Sequence, residues 1–495
     1  MSRFRLDDPD DASARAVGSL LTVPAAADEL GERFAAAGHE LYLVGGTVRD
    51  ALLGRSGIVD YDFATDARPE QVLALVRGWA EAVWDVGIAF GTVGLQRGGV
   101  RYEVTTYRSE SYDRTSRNPD VSYGDSLDGD LRRRDFTINA MAVSVPGHEF
   151  VDLFGGLADL ARRELRTPAA AEMSFDDDPL RILRAARFVG QLGLTPAPEL
   201  VEAMRTRAER LTIVAAERIR DEFAKLLLAP DPVAGLALLV DTGVADHVVP
   251  ELPALRMEID EHHQHKDVYA HSLAVLENAI SLEERLGGPD LTVRIAALLH
   301  DIGKPRTRAH LPGGGVSFHH HEVVGASMTK KRLKALRFPK AFVDDVSKLV
   351  ELHLRFHGYG KGEWTDSAVR RYVADAGPLL ERLHVLVRSD CTTRNRRKAA
   401  ALARTYDDLE ARITKLAAEE DLKAVRPDLR GDEIMSLLGI PPGPLVGTAW
   451  NHLKELRLNE GPLGHDEAVK RLLAWAEEQG ITPPAPADED HQQPS

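Results

Sequence analysis

The chain has 495 residues and a mass of 54.3 kDa, room for about three or four domains with cores of their own. Hydrophobic residues make up 43% and charged residues 28%, which excludes bulk disorder, and 77 acidic against 62 basic residues exclude a globally basic nucleic-acid coat but not a local basic groove. Cys391, the single cysteine, cannot close an intramolecular disulfide, no apolar run approaches the roughly 18 residues of a membrane span, and the start carries no signal-peptide pattern, so a cytoplasmic chain without a membrane partner is expected.

In chain order, residues 1–15 and 481–495 are polar, acidic or Pro-rich, and the ends 1–24 and 481–495 are expected to be frayed or disordered. Residues 25–160 mix helical stretches with short β-type runs at 41–46, 59–64, 90–96 and 102–107. From 161 onward the strand pattern disappears. Amphipathic helices are expected over 180–194, 200–211 and 215–228, then a histidine-rich helical block over 256–395 and a last helical body over 396–480. The expected fold class is α+β: a small α/β head with a mixed sheet at 25–160, an all-helical neck at 161–255, and the two helical blocks.

The run 41–54 reads as a strand, a double-glycine turn and a helix. Gly45 and Gly46 let backbone approach a bound group, the N–H groups beyond them favour an anion, and Arg49 adds charge in the first turn. A purely structural turn accounts for the glycines equally well. In Asp60-Tyr61-Asp62, residues two apart on a strand share a face, so Val59, Tyr61 and Phe63 form an apolar face and the two aspartates project from the other. Adjacent carboxylates repel unless they share cations, and two Mg²⁺ ions about 3.5–4 Å apart would satisfy both and suit in-line phosphoryl transfer.

A solvated edge strand explains most such acidic pairs, so the surroundings decide. Glu103 lies in a second strand-like run as a third candidate carboxylate. The polar stretch 108–131, with Arg108, Arg114 and Arg117, reads as a mobile loop, and Arg132, Arg133 and Arg134 then offer charge for a triphosphate.

Together, Gly45-Gly46-Thr47-Val48-Arg49-Asp50, the Asp60/Asp62 pair, the run from Arg133 to Met141 and the glycine turn in 151–160 resemble the nucleotidyltransferase head of the bacterial class II CCA-adding tRNA nucleotidyltransferases and poly(A) polymerases. The resemblance implies that Asp60 and Asp62 bind catalytic Mg²⁺, with Glu103 as third carboxylate. It also implies that Gly45, Gly46, Arg49, Arg133 and Arg134 form the nucleotide site.

In the neck, Asp177-Asp178-Pro179-Leu180-Arg181 opens a helix, with Arg184 and Arg187 following at three-residue steps. Helix stabilisation alone explains such a pattern. A sharper reading is chemical. Cytosine and adenine both present an amino donor beside a ring-nitrogen acceptor, which a carboxylate and a guanidinium can meet together. Uracil and guanine present the reverse, at a cost of about 1–3 kcal/mol per unsatisfied buried group. The segment resembles the family's Glu-Asp-x-x-Arg motif, which implies nucleotide selection by Asp178 and Arg181, with Arg184 and Arg187 able to join along the ridge. Asp177 stands where the family has Glu. Glu217-Arg218-Ile219 to Glu222 resembles a further neck motif, read as a structural ion pair.

In the histidine-rich block, His300-Asp301 within 297–304 resembles the signature of HD-type metal-dependent phosphohydrolases, and His271, His300, Asp301 and Asp390 match its four ligands. His321 and His353 stand where two-metal members add ligands, with His319, His320 and His357 as competitors. Imidazole with carboxylate favours a transition metal (Mn, Fe, Co or Ni) over Mg²⁺.

Lys330, Lys331, Arg332, Lys334, Arg337 and Lys340 form one basic cluster, and Arg388, Arg394, Arg396, Arg397 and Lys398 another, both read as tracks for an RNA backbone. The resemblance extends from about 40 to 460, through the Pro/Gly turn at 441–444. It implies addition of C, C and A to tRNA 3′ ends from CTP and ATP with release of pyrophosphate. Poly(A) synthesis, partial CC- or A-addition, and a chain that is chiefly an HD phosphohydrolase are the alternatives.

Overall fold

A computed structural model describes residues 23–484 except 56–59, 85–86, 89–90, 112–119, 125, 257–266, 313–314, 357–358, 360–363, 394 and 421–425. Val59, Arg114, Arg117, His357, Arg394 and most of the two expected frayed ends lie outside the described residues. The chain forms two compact units, residues 1–253 with 335–338, and residues 254–334 with 339–495. The expected head and neck share the first unit; the histidine-rich block and the last helical body share the second.

The first unit is built on strands β1 (Leu41–Val44), β2 (Asp60–Thr65), β3 (Ala82–Trp84), β4 (Thr92–Arg97), β5 (Val100–Thr106), β6 (Arg108–Ser111), β7 (Asp120–Tyr123), β8 (Met141–Ser144) and β9 (Phe150–Asp152). Seven of them form one sheet in the order β3-β4-β5-β2-β1-β8-β9, in which only β2 and β5 run parallel. Strand alternation sends Leu41, Leu43, Phe63 and Tyr102 to one face, under helix α1 (Ala25–Ala36), and Tyr42, Val44, Ala64 and Ala142 to the other. On β2 this cover reaches only half-way. Phe63, Ala64 and Thr65 are buried, while Asp60 and Asp62 emerge into solvent.

Helices α2 (Gly46–Leu52), α3 (Pro69–Leu75), α4 (Leu127–Arg132) and α5 (Gly156–Arg162) complete the head. The stretch 108–131, expected as a mobile loop, instead carries the antiparallel pair β6–β7 and then α4 in its described parts. Ser126 starts α4 by accepting from the Gly129 N–H.

The neck helices are α6 (Ala171–Asp177), α7 (Leu180–Leu192), α8 (Pro198–Arg207), α9 (Ala216–Leu227), α10 (Pro232–Asp241) and the short α11 (Ala245–Val248). Helices α7 and α10 pack closely because Gly235 has no side chain: a Cβ there would lie 2.4 Å from the Ala186 carbonyl oxygen. Strands do not vanish beyond 161. Glu164–Leu165 pairs parallel with Thr195–Pro196, and Ala309–His310 pairs antiparallel with Val316–Ser317. Two-residue bridges leave no periodicity to read.

The second unit contains α12 (Val268–Ser281), α13 (Leu291–Leu299), α14 (Lys304–Thr307), α15 (His321–Ala335), α16 (Lys340–Leu352), α17 (Asp366–Ala376), α18 (Leu380–Ser389), α19 (Arg396–Glu419), α20 (Gly431–Leu438), α21 (Pro444–Glu460) and α22 (His465–Glu478). The last three close a small core of their own around Ile434, Leu453 and Leu472. Among the described residues no helix is long and apolar enough to cross a membrane.

Candidate active site and metal centre

The register of β2 against β5 builds the acidic face. Asp60 pairs with Arg101, Tyr61 with Tyr102 and Asp62 with Glu103, so the Asp62 and Glu103 side chains leave adjacent parallel strands on one face with Asp60 two residues away. Behind them, Tyr61 stacks on Tyr102 with ring centroids 5.9 Å apart and anchors this end of the strand. Loss of hydration pushes the Asp62 carboxyl above its ordinary range, Glu103 and Asp60 push it further, and Arg134 opposes them. A carboxyl raised in this way by two neighbouring carboxyls fits divalent cations, which would relieve the repulsion.

Gly45 closes the other wall. It has φ +74°, and a Cβ there would sit 3.2 Å from Arg134 Nη1 and 3.8 Å from Asp62 Oδ2. Any side chain would therefore enter the space between the arginine and the aspartate. Gly46 begins α2, and a Cβ on it would approach Arg49 Nη2 at 3.3 Å.

Arg49 itself departs from the expectation of a triphosphate contact. It is buried; Nη1 donates to Asn139 Oδ1 at 2.6 Å, and Nε and Nη2 donate to Asp50 at 3.0 and 2.8 Å. Its guanidinium ties α2 to the 3₁₀ turn Thr137–Asn139.

Arg133 and Arg134 are organised by Asp130, a residue the sequence reading passed over. Asp130 is 2% exposed; its Oδ2 accepts from Arg134 Nη2 at 3.0 Å and its Oδ1 from Arg133 Nε at 3.4 Å. Burial alone would raise the Asp130 pKa, but the two guanidiniums prevail and hold it down. The spacing of three and four residues on a helix was the available signal.

Asp178 and Arg181 meet at the start of α7. Asp178 Oδ1 accepts from the Leu180 N–H at 3.1 Å and Oδ2 from Arg218 at 3.2 Å. Arg181 donates to Ser174 Oγ at 2.8 Å and, through Nη2, to the Arg133 carbonyl at 2.5 Å. Arg184 and Arg187, grouped with the nucleotide-binding residues on the sequence, are committed elsewhere. Arg184 donates to Asp135 at 2.9 and 2.5 Å, and Arg187 to Glu222 and Gln191, both at 2.7 Å. With Arg49 they surround the Phe188 ring, at 5.8, 4.2 and 5.3 Å from its centroid. Both arginines are structural braces in this arrangement because Asp135 and Glu222, distant in sequence, are their neighbours in space.

In the second unit six side chains that could hold a metal fall into two groups, His271 with His300 and Asp390, and Asp301 with His321 and His353. His271 Nε2 lies 2.9 Å from Asp390 Oδ1, His300 Nε2 3.1 Å from Asp301 Oδ2, and His321 Nε2 3.2 Å from Asp301 Oδ1. The opposite ring nitrogens of His300, His321 and His353 sit 2.7–2.8 Å from the carbonyls of Ala297, Phe318 and Val350. A bond held there turns each Nε2 toward the acids. Gly303 permits the arrangement, since a Cβ on it would stand 2.1 Å from the His321 carbonyl oxygen.

Burial would lower the His300 pKa, yet Asp301 and Asp390 raise it to about 9, whereas burial beside His300 drops His353 to about 3. His353 Nε2 is buried with no hydrogen-bond partner among the described residues. An orphaned imidazole nitrogen beside a carboxylate fits a cation. His319 and His320, the competing candidates, are exposed.

The basic clusters are only partly free. Lys331 and Lys334 are exposed and Arg332 half-buried, but Lys330 pairs with Asp344 at 2.9 Å. Arg337, exposed as well, accepts from Arg220 through its backbone carbonyl at 2.8 Å. Arg388 is committed to Glu410 and Asp407, at 2.9 and 2.7 Å. Arg396 and Arg397 are exposed at the start of α19.

Residues 41–166 match the poly A polymerase head domain, residues 193–255 the probable RNA and SrmB-binding site of polymerase A, and residues 268–418 the HD domain. The chain is similar to an A-adding tRNA nucleotidyltransferase of Deinococcus radiodurans, 36% identical over 444 residues that cover 88% of this chain and 95% of that protein. It is 43% identical to a CCA-adding enzyme of Lactobacillus johnsonii over 213 residues, 43% of this chain and 52% of the relative, so this match spans about half of either protein. The crystal structure of the Bacillus stearothermophilus CCA-adding enzyme in complex with CTP superposes with a TM-score of 0.66 at 25% identity, over 92% of this chain and 99% of that one. The Thermotoga maritima CCA-adding enzyme complexed with tRNA shares the fold, with a TM-score of 0.59 at 18% identity over 93% and 98% of the two chains. By its near-complete cover of the Deinococcus protein and its head, RNA-binding and HD regions, the chain belongs to the class II CCA-adding tRNA nucleotidyltransferases.

Proposed function

We propose that this nucleotidyltransferase adds C, C and A to tRNA 3′ ends from CTP and ATP. The observation that carries the chemistry is the register of Asp62 against Glu103, with Asp60 on the same face and Arg134 at its edge. Mg²⁺ bound by these carboxylates would supply charge stabilisation to the attacking hydroxyl and the leaving pyrophosphate. The protein's own work is positional. Asp60, Asp62 and Glu103 hold the cations, Arg133 and Arg134 align the triphosphate, and the cleft beside Gly45 admits it.

Base choice falls to Asp178, as acceptor for an amino group, and Arg181, as donor to a ring nitrogen. Lys330, Lys331, Arg332, Lys334, Arg337, Arg396 and Arg397 supply charge for the RNA backbone. The two groups of the HD unit take transition-metal ions, and a phosphohydrolase activity there would be separate from nucleotide addition. A second reading, addition of A alone, is favoured by the full-length similarity to the A-adding Deinococcus protein.

One experiment separates the readings. A tRNA ending at the discriminator base is incubated with all four nucleotides and its 3′ ends are sequenced. CCA ends support the proposal; extension only of tRNA already ending in CC moves the chain to A-addition, and a long A-tail to poly(A) synthesis.

A further inference from the structure

A cavity of about 480 Å³ opens on the neck between the last turn of α6 and the segment that follows α8, within the usual ligand-pocket range of about 300–1,000 Å³. Its walls present Asp176, Arg207, Glu209, Arg210, Thr206 and Ile213. Asp176 joins the two sides: Arg207 Nε donates to its Oδ1 at 3.1 Å and Arg210 Nη2 to its backbone carbonyl at 3.0 Å. Arg210 Nε is buried and has no hydrogen-bond acceptor among the described residues, the nearest Asp176 oxygen lying 3.6 Å away. Thr206 and Thr212 donate inward to the carbonyls of Glu202 and Glu209, at 3.1 and 2.8 Å, which leaves their oxygens free to accept. Ile213 is 42% exposed at the rim.

The lining narrows the ligand. Two guanidiniums face two carboxylates, so the charge balances and a free phosphate gains little. Donors and acceptors alternate around one exposed aliphatic side chain, which suits a planar group with an apolar face and a mixed hydrogen-bonding edge. An unpaired nucleobase with its ribose has that chemistry. Thr206 through Ile213 lie in the region matching the probable RNA-binding site, and Asp176 is two residues from Asp178.

We propose that this pocket seats one unpaired nucleotide unit, its base against Ile213 and its edge on Arg210 and Asp176. The unit belongs either to the RNA strand or to a free nucleotide. The inference rests on the reading of the chain as a tRNA-extending enzyme, and its test separates the two.

The full chain and the variants Arg210→Gln, Ile213→Asp and Thr206→Trp are compared. Their Kd is measured for a tRNA transcript lacking CCA, without nucleotides, and their KM values for that tRNA, CTP and ATP. A pocket for the RNA strand predicts a rise of about five- to tenfold in tRNA Kd and KM, with kcat and nucleotide KM within about twofold of wild type. A rise confined to the nucleotide KM values assigns the same pocket to a free nucleotide. Unchanged values for both ligands overturn the proposal. Should Arg210→Gln fail to fold, Thr206→Trp decides, because Thr206 is exposed and a tryptophan there fills the mouth without touching the Arg210–Asp176 contacts. A wild-type chain that binds tRNA but extends none defeats the functional reading, while the Kd comparison still judges the pocket.

Discussion

Arg181 Nη2 and the backbone carbonyl of Arg133 are joined at 2.5 Å across 48 positions of sequence. This bond hooks the first turn of α7 to the residue preceding Arg134, whose guanidinium lies beside Asp62. Side chains proposed to choose the base are thereby fastened to the segment proposed to hold its triphosphate.

Arg181→Ala should relax base choice. Asp178 still accepts from an amino group, but the donor to the ring nitrogen is gone, so uracil and guanine lose one of two clashes. Selectivity worth about 1–3 kcal/mol corresponds to roughly 5- to 150-fold in the CTP/UTP and ATP/GTP ratios of kcat/KM. Arg134→Ala should slow all four nucleotides alike. Equal loss of selectivity in both variants would reduce α7 to scaffolding.

Asp60→Ala and Asp62→Ala should abolish nucleotide addition, a loss beyond about 10³-fold, with tRNA affinity and thermal stability nearly unchanged. Both side chains lie on the exposed half of β2, outside the packed half formed by Phe63–Thr65, so their removal opens no cavity. Turnover near the wild-type rate with Mg²⁺ in either variant would refute the metal assignment.

Asp135 should stabilise the head–neck junction in a pH-dependent way. It is 8% exposed, and although burial opposes ionisation, Arg184 and Asn139 hold its carboxyl well below the ordinary range. A depressed folded-state pKa contributes stability above the unfolded value of about 3.9, lost as pH falls toward the folded value. Asp135→Asn should cost about 2–3 kcal/mol at pH 7, the lower side for a buried pair because Arg184 keeps 32% of its side chain exposed. In thermal melts the gap from wild type should narrow below about pH 4. A gap constant from pH 7 to 3 would contradict the assignment.

His300→Ala combined with Asp301→Ala should remove transition-metal binding from the HD unit while CCA addition persists. Elemental analysis after mild purification, followed by titration with Mn²⁺ or Co²⁺, reads the first effect and primer extension the second. A wild-type chain that neither carries nor takes up such a metal would leave these side chains as a buried polar network.

Local pattern carried much of this chain. Period-two alternation put Asp60 and Asp62 on one strand face, because a pleated strand has no other arrangement available. The double glycine at 45–46 marked a strand-to-helix turn, and at Gly45 the positive φ demands that residue. His300-Asp301 stood out through the resemblance of 297–304 to the HD signature. The partners of Arg184 and Arg187 were not legible for the converse reason: helical spacing says which face a guanidinium occupies and nothing of what faces it.

What the sequence by itself determined is therefore the order of elements, the side chains sharing a face, and the chemistry those side chains could perform. Tertiary structure alone decided the pairings. It set Glu103 opposite Asp62 through the parallel register of β2 and β5, and divided six candidate ligands between two groups. It also turned Arg49, Arg184 and Arg187 inward to Asp50, Asn139, Asp135 and Glu222. The physical reason is that a charge buried on folding must find its counter-charge nearby. Which partner stands there depends on how distant segments pack, a relation that local spacing does not encode.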